Sequence, residues 1–296
     1  MSNFDLPGEL GLLDKPIKIQ DTNIEIVRDF DPSQLEFALF DFDGTLSRER
    51  DGWVNLMVAS MSAIMSEVLP IEQARIAVLE NIEANIGLPT FTGLRKLNEY
   101  RDELGWRRIS TKTLKNIYND QLLKMVDQKR ADIKDGVLDH SELVVFGTYF
   151  LLDEIKKRYE DNMYVASGSD KSAVAESVDL LEMTKYFGDR VLAAGDLGDP
   201  EKCAKKHIIE ELVRDKDAHG KILTFGDGFP EILHTYHNGG VCVGVITSDC
   251  SNDEHLGYLT IEKKRKRLMD AGAHIIIPNY KNTPALIKVI HDKDFS

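Results

Sequence analysis

Leu35-Glu36-Phe37-Ala38-Leu39-Phe40-Asp41-Phe42-Asp43-Gly44-Thr45-Leu46 is the stretch on which the fold turns. Leu35 to Phe40 reads as a short apolar strand that stops at Asp41. Two carboxylates two residues apart at the end of a buried strand are costly unless they hold a cation or do acid/base work. Asp43-Gly44 is also a common turn pair, so this stretch alone leaves an ordinary turn open.

On the N-terminal side, Ile17-Lys18-Ile19 and Ile24-Glu25-Ile26 alternate around Asp21-Thr22-Asn23, which suggests a hairpin in an N-terminal arm. The hairpin could extend a sheet edge or mediate a dimer. On the C-terminal side, Trp53, Leu56, Met57, Met61, Ile64, Met65 and Val68 follow helical spacing. Further helices are expected over Ile71–Ile86, Phe91–Leu104 and Thr111–Val126, punctuated by Pro70, Pro89 and Gly105. The Met57, Met61, Met65 stripe reads as core of this helical stretch.

After about residue 145 strands and helices alternate. Strands are expected at Met163–Ala166, Val191–Ala194, Ile222–Phe225, Val241–Ile246 and Ile275–Ile277, with helices between them. Such alternation means a parallel sheet covered on both faces. The expected fold is α/β, a doubly wound parallel sheet with an inserted all-helical domain. Residues 1–46 and 147–296 would form the α/β core, with 1–34 as the arm, and 47–146 the helical insertion.

Chemistry in an open α/β sheet gathers at the carboxyl ends of the strands. The second core strand ends in Ser167-Gly168-Ser169, where a hydroxyl and backbone N–H groups can bond an anionic oxygen, although helix capping explains the residues equally well. Lys205 opens a helix, an end where lysine does little for its own macrodipole and is better placed to hold an anion; Lys202 competes for that role. A later strand ends in Gly226-Asp227-Gly228, whose glycines allow close backbone approach, and Glu231 lies one helical turn past Asp227. In order along the chain, these groups make a Mg²⁺ and phosphate pocket: acids for the cation, a hydroxyl and a lysine for the phosphoryl oxygens.

This ordered set resembles the haloacid dehalogenase superfamily, in its phosphatase branch, from Leu35 to about Pro278. Asp-x-Asp-Gly-Thr is the specific motif; the serine and lysine motifs carry weight only in its company. The insertion resembles the helical cap of phosphoglycolate phosphatases and β-phosphoglucomutases. The resemblance implies Asp41 as nucleophile, forming an aspartyl-phosphate. It implies Asp43 as the acid that protonates the leaving oxygen and then the base that deprotonates water. Ser167, Gly168 and Lys205 would hold the phosphoryl group. Mg²⁺ would be bound by Asp41, the Asp43 carbonyl and Asp227, with Glu231 and Thr45 beside them. The family commonly has aspartate where this chain has Glu231.

The second acid narrows the chemistry, because an alkoxide leaving group needs a proton and a halide does not. A small phosphorylated metabolite, such as a sugar phosphate or phosphoglycolate, is the expected substrate. A phosphomutase would use the same residues, and a catalytically silent ligand-binding relative would keep the fold. Phosphonate hydrolysis through a Schiff-base lysine has Lys96, Lys112 and Lys115 available, but nothing in the sequence marks one of them. Arg48, Arg50, Trp53 and Arg95 are the candidate substrate contacts of the insertion, since an arginine there could grip a second anionic group.

Composition excludes other classes. Of 296 residues, 37 are Lys or Arg and 50 Asp or Glu, a net charge of −13 that disfavours nucleic acid as a partner. The basic run Lys263-Lys264-Arg265-Lys266-Arg267 reads as a solvated helix face. Cys203, Cys242 and Cys250 are too few and scattered for a disulfide framework or zinc site, and His234 and His237 lack a third ligand. The acidic N-terminus is unlike a signal peptide, and Leu143–Leu152 is about half the length that spans a bilayer. A cytoplasmic monomer or homodimer, with no membrane partner, is expected.

Overall fold

The computed structural model describes residues 5–85, 88–193, 204–247 and 261–293. Its strands are Leu12–Lys18 (β1), Glu25–Arg28 (β2), Phe37–Phe40 (β3), Met163–Ser167 (β4), Val191–Ala193 (β5), Ile222–Gly226 (β6), Val241–Val245 (β7) and Ile275–Ile277 (β8). They form one sheet in the order β1-β2-β8-β7-β6-β3-β4-β5. From β8 to β5 every pairing is parallel; β2 runs antiparallel to β8, and β1 to β2. All four residues of β3 are buried, as a central parallel strand requires.

Alternation along β3 sends its residues to two different cores. Ala38 and Phe40 join the cluster formed with helices Thr148–Tyr159, Lys171–Leu180 and Thr283–Asp292, while Phe37 and Leu39 pack against Ile208, Ile209 and Leu212 of helix Ala204–Lys216. On that second face Phe229–His237 and Ile261–Asp270 cover β7 and β8 through Ile232, Leu233 and Leu268, packed with Cys242 and Ile276. The sheet is therefore doubly wound, as expected. Helix Thr283–Asp292 was not anticipated from sequence, although its buried Leu286, Val289 and Ile290 follow helical spacing.

The N-terminal hairpin extends the sheet edge. Ile19, Ile24, Ile26 and Phe30 are buried in the main core, and Thr22 Oγ1 closes the turn by donating to Ile19 O (2.8 Å) and accepting from Ile24 N (3.1 Å). The outer strand is largely exposed and carries Asp14, Lys15, Pro16 and Lys18, residues that discourage further pairing at an open edge.

Between β3 and β4 lie helices Trp53–Met65 (α1), Ile71–Asn85 (α2), Thr90–Glu103 (α3) and Thr111–Lys134 (α4). They share a buried cluster drawn from residues 54–126, which includes Met57, Met61 and Met65. The chain segments entering and leaving this insertion run side by side: Arg48 N donates to Leu143 O (2.8 Å) and Val145 N to Leu46 O (2.9 Å). Helix α4 runs well past Val126. Its buried stripe of Leu114, Tyr118, Leu122 and Val126 continues at Arg130, a charged residue that hides the periodicity. Among the described residues no helix is long and apolar enough to cross a membrane. Lys202, Cys203 and Cys250, with Ile86 and Ala194 at the expected ends of a helix and a strand, lie outside the described residues.

Candidate active site

β3 sits between β4 and β6, where the chain order reverses and an open α/β sheet leaves a crevice. Asp41 is the first residue past β3, held there as its N–H donates to Phe225 O (2.9 Å). The chain then turns sharply, with the N–H groups of Leu46 and Ser47 both donating to Phe42 O (2.9 and 2.8 Å). Gly44 takes φ +81° in this turn, and a Cβ there would lie 2.3 Å from Asp227 Oδ2, so only glycine lets the two loops meet. Buried Tyr280 supports the turn, its hydroxyl donating to Thr45 O (2.9 Å).

The charged groups converge on Asp41. Lys205 Nζ lies 2.8 Å from Asp41 Oδ1 and 2.9 Å from Glu231 Oε2. Glu231 is fully buried; its Oε1 accepts from Gly228 N (2.8 Å), and its side chain occupies the space that a Cβ on Gly226 would take. Asp227 Oδ2 pairs with Lys264 Nζ at 2.7 Å. Thr45 Oγ1 stands 3.5 Å from both Asp41 Oδ2 and Asp227 Oδ1.

Oxygens of Asp41, Asp227 and Glu231 lie within 4.8 Å of one another, an all-carboxylate donor set suited to a hard cation such as Mg²⁺. Burial pushes the Asp41 carboxyl well above the usual range, and the charges of Glu231 and Asp227 add to this against the pull of Lys205. Burial would raise Asp227 too, but Lys264, the hydrogen bond with Asp41 and Lys205 outweigh it and hold its carboxyl low. Lys205 is desolvated as well, yet Asp41 and Glu231 keep it firmly charged. Asp41 and Glu231 are buried and Asp227 is partly so, and their clustered oxygens between two lysines make a donor set that a divalent cation would fit.

Asp43 is held apart from this cluster. Its Oδ2 accepts from Ser169 Oγ (3.1 Å) and its Oδ1 faces Arg50 Nε (3.3 Å). Ser167 is buried at the end of β4, its Oγ accepting from Ser169 N (3.1 Å), and open space surrounds the position a Cβ on Gly168 would take. Of the insertion's candidate contacts, Arg50 faces a site acid, Asp43. Arg48 pairs with Asp51 (2.6 Å) and Arg95 with Glu99 (3.1 Å), both on exposed surface, and Trp53 packs against the insertion's own core. Tyr118 of α4 comes close enough to Arg50 and Asp43 to feel their charges, while burial pushes its hydroxyl up to about 12.

Neither a protein-family model nor a curated protein sequence matches the chain. Solved structures do. A phosphonoacetaldehyde hydrolase-like protein from Oleispira antarctica aligns over 90% of this chain and 96% of its own, with TM-score 0.57 and 14% identity. A haloacid dehalogenase-like family hydrolase from Streptococcus pneumoniae aligns over 86% and 99%, with TM-score 0.56 and 14% identity. A predicted phosphoglycolate phosphatase from Haemophilus somnus covers the same shares, with TM-score 0.54 and 13% identity. The chain has the haloacid dehalogenase fold.

Within that fold sequence reasoning left several residues of the site unread. Lys264 corrects the reading of its basic run: the Lys266 side chain is 75% exposed, but that of Lys264 is only 4% exposed and faces Asp227. Its neighbour Arg265 pairs with Glu25, and Lys263 reaches Glu83 of the insertion at 2.8 Å. The sequence marks Ser169 only as part of Ser167-Gly168-Ser169, without its bond to Asp43, and it marks neither Thr247 nor Tyr280. Helix periodicity could have exposed Lys264, because it lies four residues before Leu268 on the helix's buried side.

Proposed function

We propose that this chain is a Mg²⁺-dependent phosphomonoester hydrolase of a small cytosolic metabolite, working through an aspartyl-phosphate. One observation carries the reading: Asp41 sits at the central strand's end with Lys205 at 2.8 Å, while a second acid, Asp43, is held separately by Ser169 and Arg50. Asp41, Asp227 and Glu231 would hold the metal, with the Asp43 carbonyl beside them. When bound, Mg²⁺ supplies positive charge to the phosphoryl oxygens and to the buried carboxylates.

Asp41 attacks phosphorus, forming its acyl-phosphate bond as the ester P–O bond breaks. Asp43 gives its proton to the departing alkoxide. Asp43 then takes a proton from water, whose oxygen attacks phosphorus and releases the Asp41 carboxylate with inorganic phosphate. The Asp43 side chain is 26% exposed, against 4% for Asp41, so it is open to the leaving oxygen and to the attacking water. Ser167 and Lys205 orient the phosphoryl group and offset its charge. Residues 47–146 serve as a cap on a core of 1–46 and 147–296, closing over the site about 47–50 and 144–147. Arg50 and Tyr118 are the groups through which this cap meets Asp43 and the substrate.

Phosphate release from a panel of phosphorylated metabolites, with Mg²⁺ and with chelator, tests the proposal. Release is expected that needs the metal and vanishes in Asp41→Asn, whose melting temperature stays near that of the wild type. Full activity in Asp41→Asn would overturn the mechanism.

A further inference from the structure

A buried lysine is costly unless its ammonium is fully paired. Among the described residues Lys264 meets that condition: its Nζ donates to Asp227 Oδ2 (2.7 Å), Thr247 O (2.9 Å) and Thr247 Oγ1 (3.1 Å). Because Thr247 Oγ1 accepts from Lys264, its own proton goes to Gly44 O, 2.7 Å away. One ammonium thus ties helix Ile261–Asp270 to the segment after β7, to the loop after β6 and, through Thr247, to the turn that follows Asp41. Gly44 is also where the absence of a Cβ lets Asp227 approach.

We propose that Lys264 is a positioning residue for the metal site. It grips Asp227 by Oδ2, which leaves Oδ1, 3.5 Å from Thr45 Oγ1, as the oxygen presented to a cation alongside Asp41 and Glu231. The Thr247–Gly44 bond fixes the Asp41 turn to the same anchor, so both carboxylates are set in one frame. Mg²⁺ demands near-ideal octahedral geometry, and its affinity is sensitive to how each carboxylate is turned. The inference rests on the reading of Asp227 as a metal ligand.

Mn²⁺ binding to the full-length protein, followed by the electron paramagnetic resonance of the free ion, tests it without turnover. Lys264→Met is expected to weaken binding about 10- to 100-fold while circular dichroism and the melting temperature show a folded chain. In an Asp227→Asn background the same substitution is expected to cause no further loss, because there is no carboxylate left to aim. Thr247→Val, which keeps the Lys264–Asp227 pair but frees Gly44, should give a smaller loss; it carries the test if Lys264→Met does not fold. Wild-type affinity in folded Lys264→Met, or in Thr247→Val where that variant carries the test, overturns the inference. So does an equal loss in both backgrounds, which marks a general structural role. A wild type that binds no Mn²⁺ overturns both this inference and the metal-dependent reading, whereas unchanged binding in the variant overturns the inference alone.

Discussion

Asp41 and Asp43 are two residues apart, yet their surroundings differ in the way two successive roles require. Asp41 is buried against Lys205, with Glu231 and Asp227 close by, whereas Asp43 is partly exposed and bonded by a hydroxyl and an arginine. Asp43→Asn keeps the size of the side chain and removes its proton chemistry. It is expected to slow phosphate release by about 10²–10⁴-fold, the usual worth of a positioned acid/base, with Mn²⁺ affinity close to wild type. A rate within a factor of a few of wild type would sink the acid/base role. Both acids were legible in the sequence because a buried strand ending in paired carboxylates has few inexpensive explanations. For Lys264 only its place on the buried side, four residues before Leu268, was legible among four neighbouring cations; its partner Asp227, 37 residues away in the chain, was not.

Helix α4 shows how an element can outrun its own pattern. Its apolar stripe ends at Val126, but Arg130 occupies the next buried position by bonding Glu49 Oε1 (3.0 Å), Glu176 Oε2 (2.7 Å), Ser177 Oγ (2.7 Å) and Ala173 O (3.1 Å). These partners come from the segment entering the insertion and from helix Lys171–Leu180, so Arg130 ties the insertion to the α/β core. The expectation for Arg130→Met follows from Glu49, only 1% exposed, which loses the arginine that neutralises it. Removing one partner of a buried pair costs about 3–5 kcal/mol. Chemical denaturation should show a loss of that order, and Arg130→Met combined with Glu49→Gln should recover much of it. A double variant no more stable than the single would mean that the pair is not the source of the cost.

At the scale of the whole molecule, the alternation of strands and helices after residue 145 foretold the doubly wound sheet, because parallel strands buried on both faces leave few other layouts. The sequence left the hairpin open between a sheet edge and a dimer contact; its edge position depends on the pairing of Glu25 with Ile276, far apart in sequence. Buried histidines contribute to the response to acid. His274, next to β8, accepts a hydrogen bond from Cys242 N at Nδ1 (3.0 Å), and burial, with Arg28 nearby, lowers its pKa to about 4. Burial likewise lowers His234 and His291 to about 4. The folded chain therefore keeps these rings neutral, whereas the unfolded chain protonates them below about 6.5. Between those values the unfolded state binds more protons, so stability falls as pH drops from about 6.5 towards 4 and this contribution levels off below. For His274 the loss is on the order of 3 kcal/mol. Asp41 acts in the opposite sense, since its raised pKa lets the folded state take up a proton first and offsets part of the loss. Urea unfolding at pH 7, 6, 5 and 4.5 should trace a steady decline in the wild type. His274→Asn, which keeps an acceptor for Cys242 N but cannot titrate, should flatten it, and an unchanged slope would show that His274 is not among the groups that drive acid unfolding.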